Sequence, residues 1–250
     1  MKRFWQGFWA IYRRELFQDL TNRVAYVFIA GFLSASVLAA FQLGGLFEAG
    51  RADLSSYFQF HPWLYAVLMP ALAMRAWSEE ARSGTLETLL ALPISNAALV
   101  LAKFAAAWTL VALMLILGTS LWLGIALLGP VDHGATVVGY GGSFLMAGAY
   151  LAIGMAASAA SSSQAMSFVI ATAISVLLTA AGLPLVSNTV AGIGGEQAAL
   201  LLSALSIQDQ FDGFQRGVIE ARGIVFFVSL IAAWLAVTLL FVRNKRGGGA

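Results

Sequence analysis

The chain has 250 residues, of which 60% are hydrophobic and 10% are charged, and its formal net charge is +2. Soluble domains carry about 25% charged residues, so composition excludes an ordinary soluble protein and predicts a single membrane domain over residues 1–250. Cysteine is absent, which excludes disulfides and thiol catalysis. No basic face with interleaved aromatic residues is present, so nucleic-acid binding is not expected.

Residues 1–23 predict an amphipathic helix in the membrane interface. Aromatic residues such as Trp5 and Trp9 recur at helical spacing, and Arg13 and Arg14 accompany them. Such a helix places aromatic rings at headgroup depth and cations near anionic lipid. The alternative is the leading part of one long first helix. Charges interrupt the apolar run, so no cleavable signal peptide is expected.

Six apolar stretches predict transmembrane helices, because crossing about 30 Å of hydrocarbon takes roughly 20 residues. Pro62 and Pro70 interrupt the second stretch and predict a kink there. The fold class is therefore all-α, a polytopic membrane protein. The predicted spans are Val24–Phe47, Phe58–Trp77, Phe104–Leu128, Val138–Ala160, Ser167–Val186 and Ile224–Val242.

Lys and Arg residues indicate the orientation of these spans. Most of the 14 fall before the first span, between spans two and three, or after span six. Because cytoplasmic loops carry an excess of Lys and Arg, both termini are predicted to be cytoplasmic. Residues 187–223 then form an extracytoplasmic segment, and residues 243–250 form a tail whose last four residues, GGGA, are expected to be disordered.

Two ridges of small residues predict close helix packing. Small side chains repeated every four residues let another backbone approach closely. The ridges line either a subunit seam or pathway, or ordinary contacts within one subunit. They consist of Gly148, Ala152, Ala156 and Ala160, and of Ser167, Ala171, Ser175 and Thr179.

Enzymatic signatures are scarce. His61 and His133, both predicted near the outer surface, have no second ligand at metal-binding spacing. No lysine follows a glycine in a phosphate-binding loop. We therefore expect no metal, no cofactor and no nucleotide-binding site on this chain.

The charged segment between spans two and three, residues 78–95, is named here the coupling region. Gly84 permits a sharp turn and Thr85 can cap the following helix. Apolar residues then share one face of that helix, Pro93 ends it and Ser95 caps the next. A short rigid helix could transmit force from a soluble partner, or it could be a passive connector. The shared apolar face comprises Leu86, Leu89 and Leu90.

The coupling region resembles that of ATP-binding-cassette type-2 transporter permeases, especially the small gliding-motility type. A second similar stretch precedes span six, although Ile207, Gln210 and Glu220 depart from the usual proline, histidine and aspartate. The matching residues are Pro62-Trp63, Pro70–Arg75, Trp77, Glu79-Glu80, Arg82–Glu87, Leu89-Leu90, Leu92-Pro93, Lys103-Phe104, Leu205-Ser206, Phe211, Phe214, Arg216–Glu220 and Arg222.

The resemblance implies a permease subunit, expected to be an exporter, in a bacterial cytoplasmic (inner) membrane. It implies a second, identical or homologous permease subunit and a separate cytoplasmic ATPase. The charged residues of the coupling region are assigned to the ATPase contact, so a lysine at position 80 is expected to weaken docking. The implied site residues are Glu79, Glu80, Arg82, Gly84, Thr85 and Glu87.

Two other functions remain open. A non-transporting membrane scaffold would share this composition and lack ATP-linked turnover. An intramembrane protease could use paired glutamates beside a membrane helix, but here Arg82 follows Glu80 by two residues and position 84 is glycine.

Overall fold

The computed structural model describes residues 2–44 and 54–247, and it forms only helices there. A π-helical turn, Ala39–Leu43, extends the second helix. The helices are α1 Lys2–Thr21, α2 Arg23–Leu38, α3 Ser55–Phe58, α4 His61–Ala73, α5 Arg75–Ser83, α6 Thr85–Ala91, α7 Asn96–Ala126, α8 His133–Ala160, α9 Gln164–Ala180, α10 Pro184–Leu205, α11 Ile207–Gln215 and α12 Ala221–Gly247.

Helix α8 is the centre of the bundle. It packs against α4, α5, α7, α9, α11 and α12, and nearly every residue of its second half is buried. Small residues allow these close approaches. A Cβ added at Gly142 would lie 2.4 Å from Phe214 Cβ of α11, so only glycine admits that ring.

Both ridges of small residues pack inside this one chain. Gly148 faces Trp108 of α7 and Ile231 of α12. On α9, all four ridge residues are buried, and Thr179 Oγ1 lies 2.6 Å from the Tyr150 hydroxyl of α8. Among the described residues, the intrasubunit alternative accounts for both ridges, except for the exposed Ala160.

Four described helices are long and apolar enough to cross a membrane, and a bent pair makes a fifth candidate. The predicted count of six is therefore not reached by this criterion. The end of the first predicted span, Phe47, lies outside the described residues. The four helices are Arg23–Leu43, Asn96–Ala126, His133–Ala160 and Ala221–Arg246.

The second predicted span is divided. Helix α4 has 13 residues, about 20 Å at about 1.5 Å per residue, which is shorter than the hydrocarbon core. Pro62 sits in its first turn, where the missing N–H costs nothing. The interruption follows Pro70 by one turn, at Met74.

Ser158 of α8 satisfies the backbone at this interruption. Its Oγ accepts hydrogen bonds from Trp77 N at 3.0 Å and Ser78 N at 3.1 Å, and it donates to Met74 O at 2.8 Å. The interruption of the second predicted span is tolerated because a neighbouring helix supplies hydrogen-bond partners for the freed backbone groups.

The fifth predicted span ends earlier than expected. Helix α9 stops at Ala180, and α10 begins at Pro184 after a bend of 81°. Val186 therefore belongs to α10, which itself bends at Gly195. Proline fixes the backbone at the first turn of the new helix. Apolar composition alone did not reveal this change of direction.

The described residues nearest each end of the chain are helical. Asn22 caps α2, its side chain accepting from Val24 N, so α1 is a separate helix and not the start of α2. Helix α1 packs along α7, where Tyr12 and Thr109 are hydrogen-bonded at 3.0 Å. Helix α12 continues through Gly247, so residues 243–247 of the predicted tail are helical.

We predict that Ser158→Ala destabilises the α4–α5 junction. The two amides of Trp77 and Ser78 lose their shared acceptor, and each unsatisfied buried N–H costs about 1–3 kcal/mol. Thermal unfolding in lipid nanodiscs should show a lowered midpoint, whereas Ser229→Ala on the exposed face of α12 should leave it unchanged. Equal midpoints for the two variants would contradict this role.

Candidate functional site

The coupling region forms a helical hairpin. Helix α5 ends at Ser83, Gly84 adopts a left-handed conformation with φ of 73°, and α6 begins at Thr85. A side chain at position 84 would be strained in that conformation. The turn predicted at Gly84 is therefore confirmed.

Helix α6 presents its apolar face inward. Leu86, Leu89 and Leu90 are buried, whereas Glu87 and Thr88 are exposed. The prediction that Thr85 caps α6 is wrong: Gly84 occupies the cap position, and no side chain satisfies the first turn. The Thr85 hydroxyl instead lies 2.8 Å from Ser83 Oγ. Ser95 does cap α7, as expected.

The six predicted site residues divide into two groups. Glu79 and Glu80 each bind a cation of this chain, Glu79 on its own helix and Glu80 on α7. The remaining four surround the hairpin turn and are exposed, and we name them the hairpin rim. The rim consists of Arg82, Gly84, Thr85 and Glu87.

Glu80 belongs to a buried ion cluster that joins three helices. Lys103 Nζ of α7 lies 3.0 Å from Glu80 Oε1 of α5 and 3.0 Å from Glu15 Oε2 of α1. The side chain of Lys103 is 3% exposed, and those of Glu15 and Glu80 are 14% and 13% exposed. These three residues are the Lys103 cluster.

The Lys103 cluster is short of positive charge. One ammonium binds two carboxylates, and among the described residues the only other cation near them, the half-exposed Arg14, has its Nη1 3.9 Å from Glu15 Oε1. Glu15 Oε1 and Glu80 Oε2 are buried without hydrogen-bond partners. Burial raises the pKa of Glu80, although the neighbouring Lys103 lowers it. The Trp77 ring, 5.3 Å from Nζ, provides a cation–π contact. A lysine at position 80 would therefore face Lys103 and disrupt the interior.

Glu79 is held on its own helix. Arg75 donates two hydrogen bonds to it, from Nε at 2.7 Å and from Nη2 at 2.9 Å. This bidentate contact lowers the pKa of Glu79. Because both side chains are about one-third exposed, the pair contributes little to stability.

A cleft opens beside the Lys103 cluster and is lined by residues of α1, α2, α4, α5, α7 and α8. Its lining combines polar residues of α1 and α5 with apolar residues such as Phe28, Leu72 and Met155. Asp19 lies on its wall. Burial, with a smaller contribution from the charge of Glu15, raises the pKa of Asp19 to about 6.

A second tie joins the coupling region to the end of α12. Arg246 Nη1 donates to Asn96 Oδ1 at 2.6 Å and to Ile94 O at 3.3 Å. Its Nη2 donates to Leu92 O at 3.2 Å. The segment between α6 and α7 is thus also bound by the last turns of α12.

The two histidines occupy different environments. His61, expected near the surface, is fully buried, and its Nδ1 lies 2.7 Å from Ser143 Oγ, which also contacts the Tyr65 hydroxyl at 2.8 Å. His133 is exposed and accepts a hydrogen bond from Trp122 Nε1 at 3.2 Å. In the described ranges, no three His, Cys, Asp or Glu side chains form a metal-binding group.

Sequence reasoning missed the roles of Glu15, Lys103 and Arg246. Lys103 carried one signal, since it is a single cation two helical turns inside an apolar helix. Glu15 carried a weaker one, as one of two acids, with Asp19, in a predominantly basic amphipathic helix. Their partners are distant in the sequence, so spacing could not pair them.

We predict that Lys103→Met strongly destabilises the chain. In the described part of the chain, two buried carboxylates would then keep only the half-exposed Arg14, 3.9 Å from Glu15, as a nearby cation, and breaking a buried ion pair costs about 3–5 kcal/mol. The unfolding midpoint in nanodiscs should fall sharply, while Arg13→Met, on the exposed face of α1, should have little effect. A Lys103→Met midpoint equal to wild type would show that the cluster does not stabilise the fold.

We predict a pH dependence from Asp19. Its pKa rises from 3.8 in the reference state to about 6, so its contribution to stability is complete below about pH 4 and is lost as the pH rises through about 6. Asp19→Asn removes this loss. The variant should unfold a few degrees higher than wild type at about pH 7.5 and at the same temperature near pH 4. Glu196→Gln, on exposed α10, is the control, and a pH-independent difference for Asp19→Asn would contradict the assignment.

Comparison with known proteins identifies the family. The chain matches the family model described as ABC-2 family transporter protein over residues 22–182, well over half its length. This range extends from the cap of α2 to the bend after α9, and it contains the hairpin and Lys103. No curated protein matches the chain. The chain is therefore a member of the ABC-2 family of transporter proteins.

Proposed function

We propose that this chain is the permease subunit of an ATP-binding-cassette exporter and that a separate ATPase docks on the hairpin rim. The observation that carries the proposal is that some residues of the coupling region are buried against the bundle and others are exposed. Its apolar residues and Glu80 are bound into the bundle, whereas Arg82, Thr85 and Glu87 face outward.

The hairpin is suited to receive force from a soluble partner. Gly84 permits the left-handed conformation of the turn, and the buried leucines hold α6 against the bundle. The rim presents one cation and one anion within a short distance along the chain. Charges of both signs favour a specific, oriented contact with a complementary surface.

The arrangement in the membrane is part of the same proposal. The Lys and Arg distribution supports a cytoplasmic hairpin with both termini on that side. A second permease subunit would complete the pathway, and α10, which buries none of its residues, is available on the opposite side to cap it. Similarity to the small gliding-motility type supports a bacterial inner membrane and outward transport.

Two alternatives are separated by specific observations. In a protease-like enzyme, Glu79 and Glu80 would have to be free for chemistry, but Arg75 and Lys103 bind them. A membrane scaffold could retain this whole arrangement and even a bound partner. ATP hydrolysis linked to the complex distinguishes a transporter from such a scaffold.

The test is recovery of the ATPase with the tagged chain. Wild type, purified from its native membranes in mild detergent, is expected to bring a soluble ATPase and ATP hydrolysis. Arg82→Glu combined with Glu87→Lys reverses both rim charges and should reduce the recovered ATPase by about tenfold or more. Thermal unfolding should show that this variant still folds, because both side chains are exposed.

A matched control reverses charges at the other end of the molecule. Glu196→Lys combined with Arg222→Glu alters two exposed residues beyond α9 and should leave ATPase recovery unchanged. Equal recovery from the rim variant and wild type would refute docking at the rim. Absence of any ATPase from wild type across several detergents would instead favour the scaffold.

A further inference from the structure

We infer that Lys103 is a positioning residue that makes α1, α5 and the start of α7 move as one rigid unit. Its role in delivering force from the hairpin rests on the proposed function, but the existence of the unit does not. The observation is that one buried ammonium binds carboxylates from two helices that are far apart in the sequence.

The cluster joins α1 and α5 only through Lys103. Glu15 and Glu80 bind the same Nζ atom, each at 3.0 Å. A hydrogen bond between charged groups is about twice as strong as one between neutral groups, and water barely reaches this site. Moving Lys103 away from both carboxylates would leave buried charges unpaired, at a cost of about 3–5 kcal/mol.

The backbone of α5 is also tied to the bundle close to Lys103. Trp77, whose ring contacts the ammonium, donates its backbone amide to Ser158 of α8. On the other side, Tyr12 of α1 is hydrogen-bonded to Thr109, six residues beyond Lys103 on α7. Rotation of α5 about its own axis would therefore separate Glu80 from Lys103 unless α1 and α7 followed.

This geometry assigns a function to the N-terminal helix. Pushing on the hairpin rim would displace α5 and, through Lys103, carry α1 with it. Helix α1 exposes Trp5, Trp9 and Phe17 on its other side. Movement of the hairpin would thus also move an aromatic surface at the membrane boundary.

The experiment measures distances between spin labels on the full chain in nanodiscs. Cysteine is absent from the chain, so Ala10→Cys on α1 and Thr88→Cys on α6, both exposed, provide unique labelling sites. Labelled chain is diluted with unlabelled chain so that only intramolecular distances are recorded. With the native cluster, the distance distribution is expected to be narrow.

Glu15→Met is the decisive variant. It removes the carboxylate of α1 from the cluster and leaves the pair of Lys103 and Glu80, so the chain is expected to fold. The distance distribution should broaden about twofold, because α1 then keeps its packing on α7 but loses its charged connection to α5. Gln18→Met, also on α1 and exposed, is the matched control and should leave the distribution narrow.

A second variant keeps the inference testable if Glu15→Met folds poorly. Glu15→Gln, Lys103→Met and Glu80→Gln together remove every charge, and such replacements are often neutral for stability. A broader distance distribution in either variant that folds supports the rigid unit of α1, α5 and the start of α7. An unchanged distribution in both would overturn it.

A reference pair separates this effect from general loosening. Ile116→Cys on α7 and Val225→Cys on α12 are exposed sites far from the cluster in the sequence, and their distance should be insensitive to Glu15→Met. Broadening of both pairs would overturn the inference, since it would indicate loss of packing rather than release of α1. The labels are measured on the isolated chain, so the result does not depend on whether an ATPase binds.

Discussion

The arrangement of α1, α5 and α7 depends on a single buried ammonium group. Lys103 lies inside an apolar helix and is stable there only because Glu15 and Glu80 bind it at 3.0 Å. Those carboxylates come from α1 and α5, so satisfying one charge determines where two other helices lie. The orientation of the hairpin follows from this requirement. With Glu80 bound inside and the leucines of α6 buried, the rim residues are left on the surface.

A second constraint is that backbone groups have partners within the bilayer. Proline at position 70 and the charged helix after it break the second apolar stretch, and a break exposes amides that lipid cannot satisfy. Ser158 supplies the acceptor for two of them. Because Ser158 belongs to the central helix α8, the interruption is locked to the core. The hairpin is therefore anchored to the central helix close to its first residue.

Local sequence signals were reliable where one helix decides the outcome. The turn at Gly84, the apolar face of α6 and the cap at Ser95 were predicted and confirmed, since each depends on neighbours within a few residues. Boundaries were less accurate where helices change direction. The bend after Ala180 separates α9 from α10, although both sides are apolar and give the same hydropathy signal. Thr85 has the right chemistry for a cap, but the turn puts it one residue too late.

Composition and periodicity by themselves determined that this is an all-helical membrane protein with a charged hairpin between two apolar stretches. Those properties depend on the transfer of side chains from water and on helical spacing. Both are set by residues that are close together in the sequence. Only the tertiary structure decided that Glu80 faces inward while Arg82 and Glu87 face outward. All three are charged and lie within eight residues, so hydropathy treats them alike. Their difference arises from Lys103, which binds Glu80 from a distant part of the chain, because a buried charge must find its counterion wherever the fold brings it.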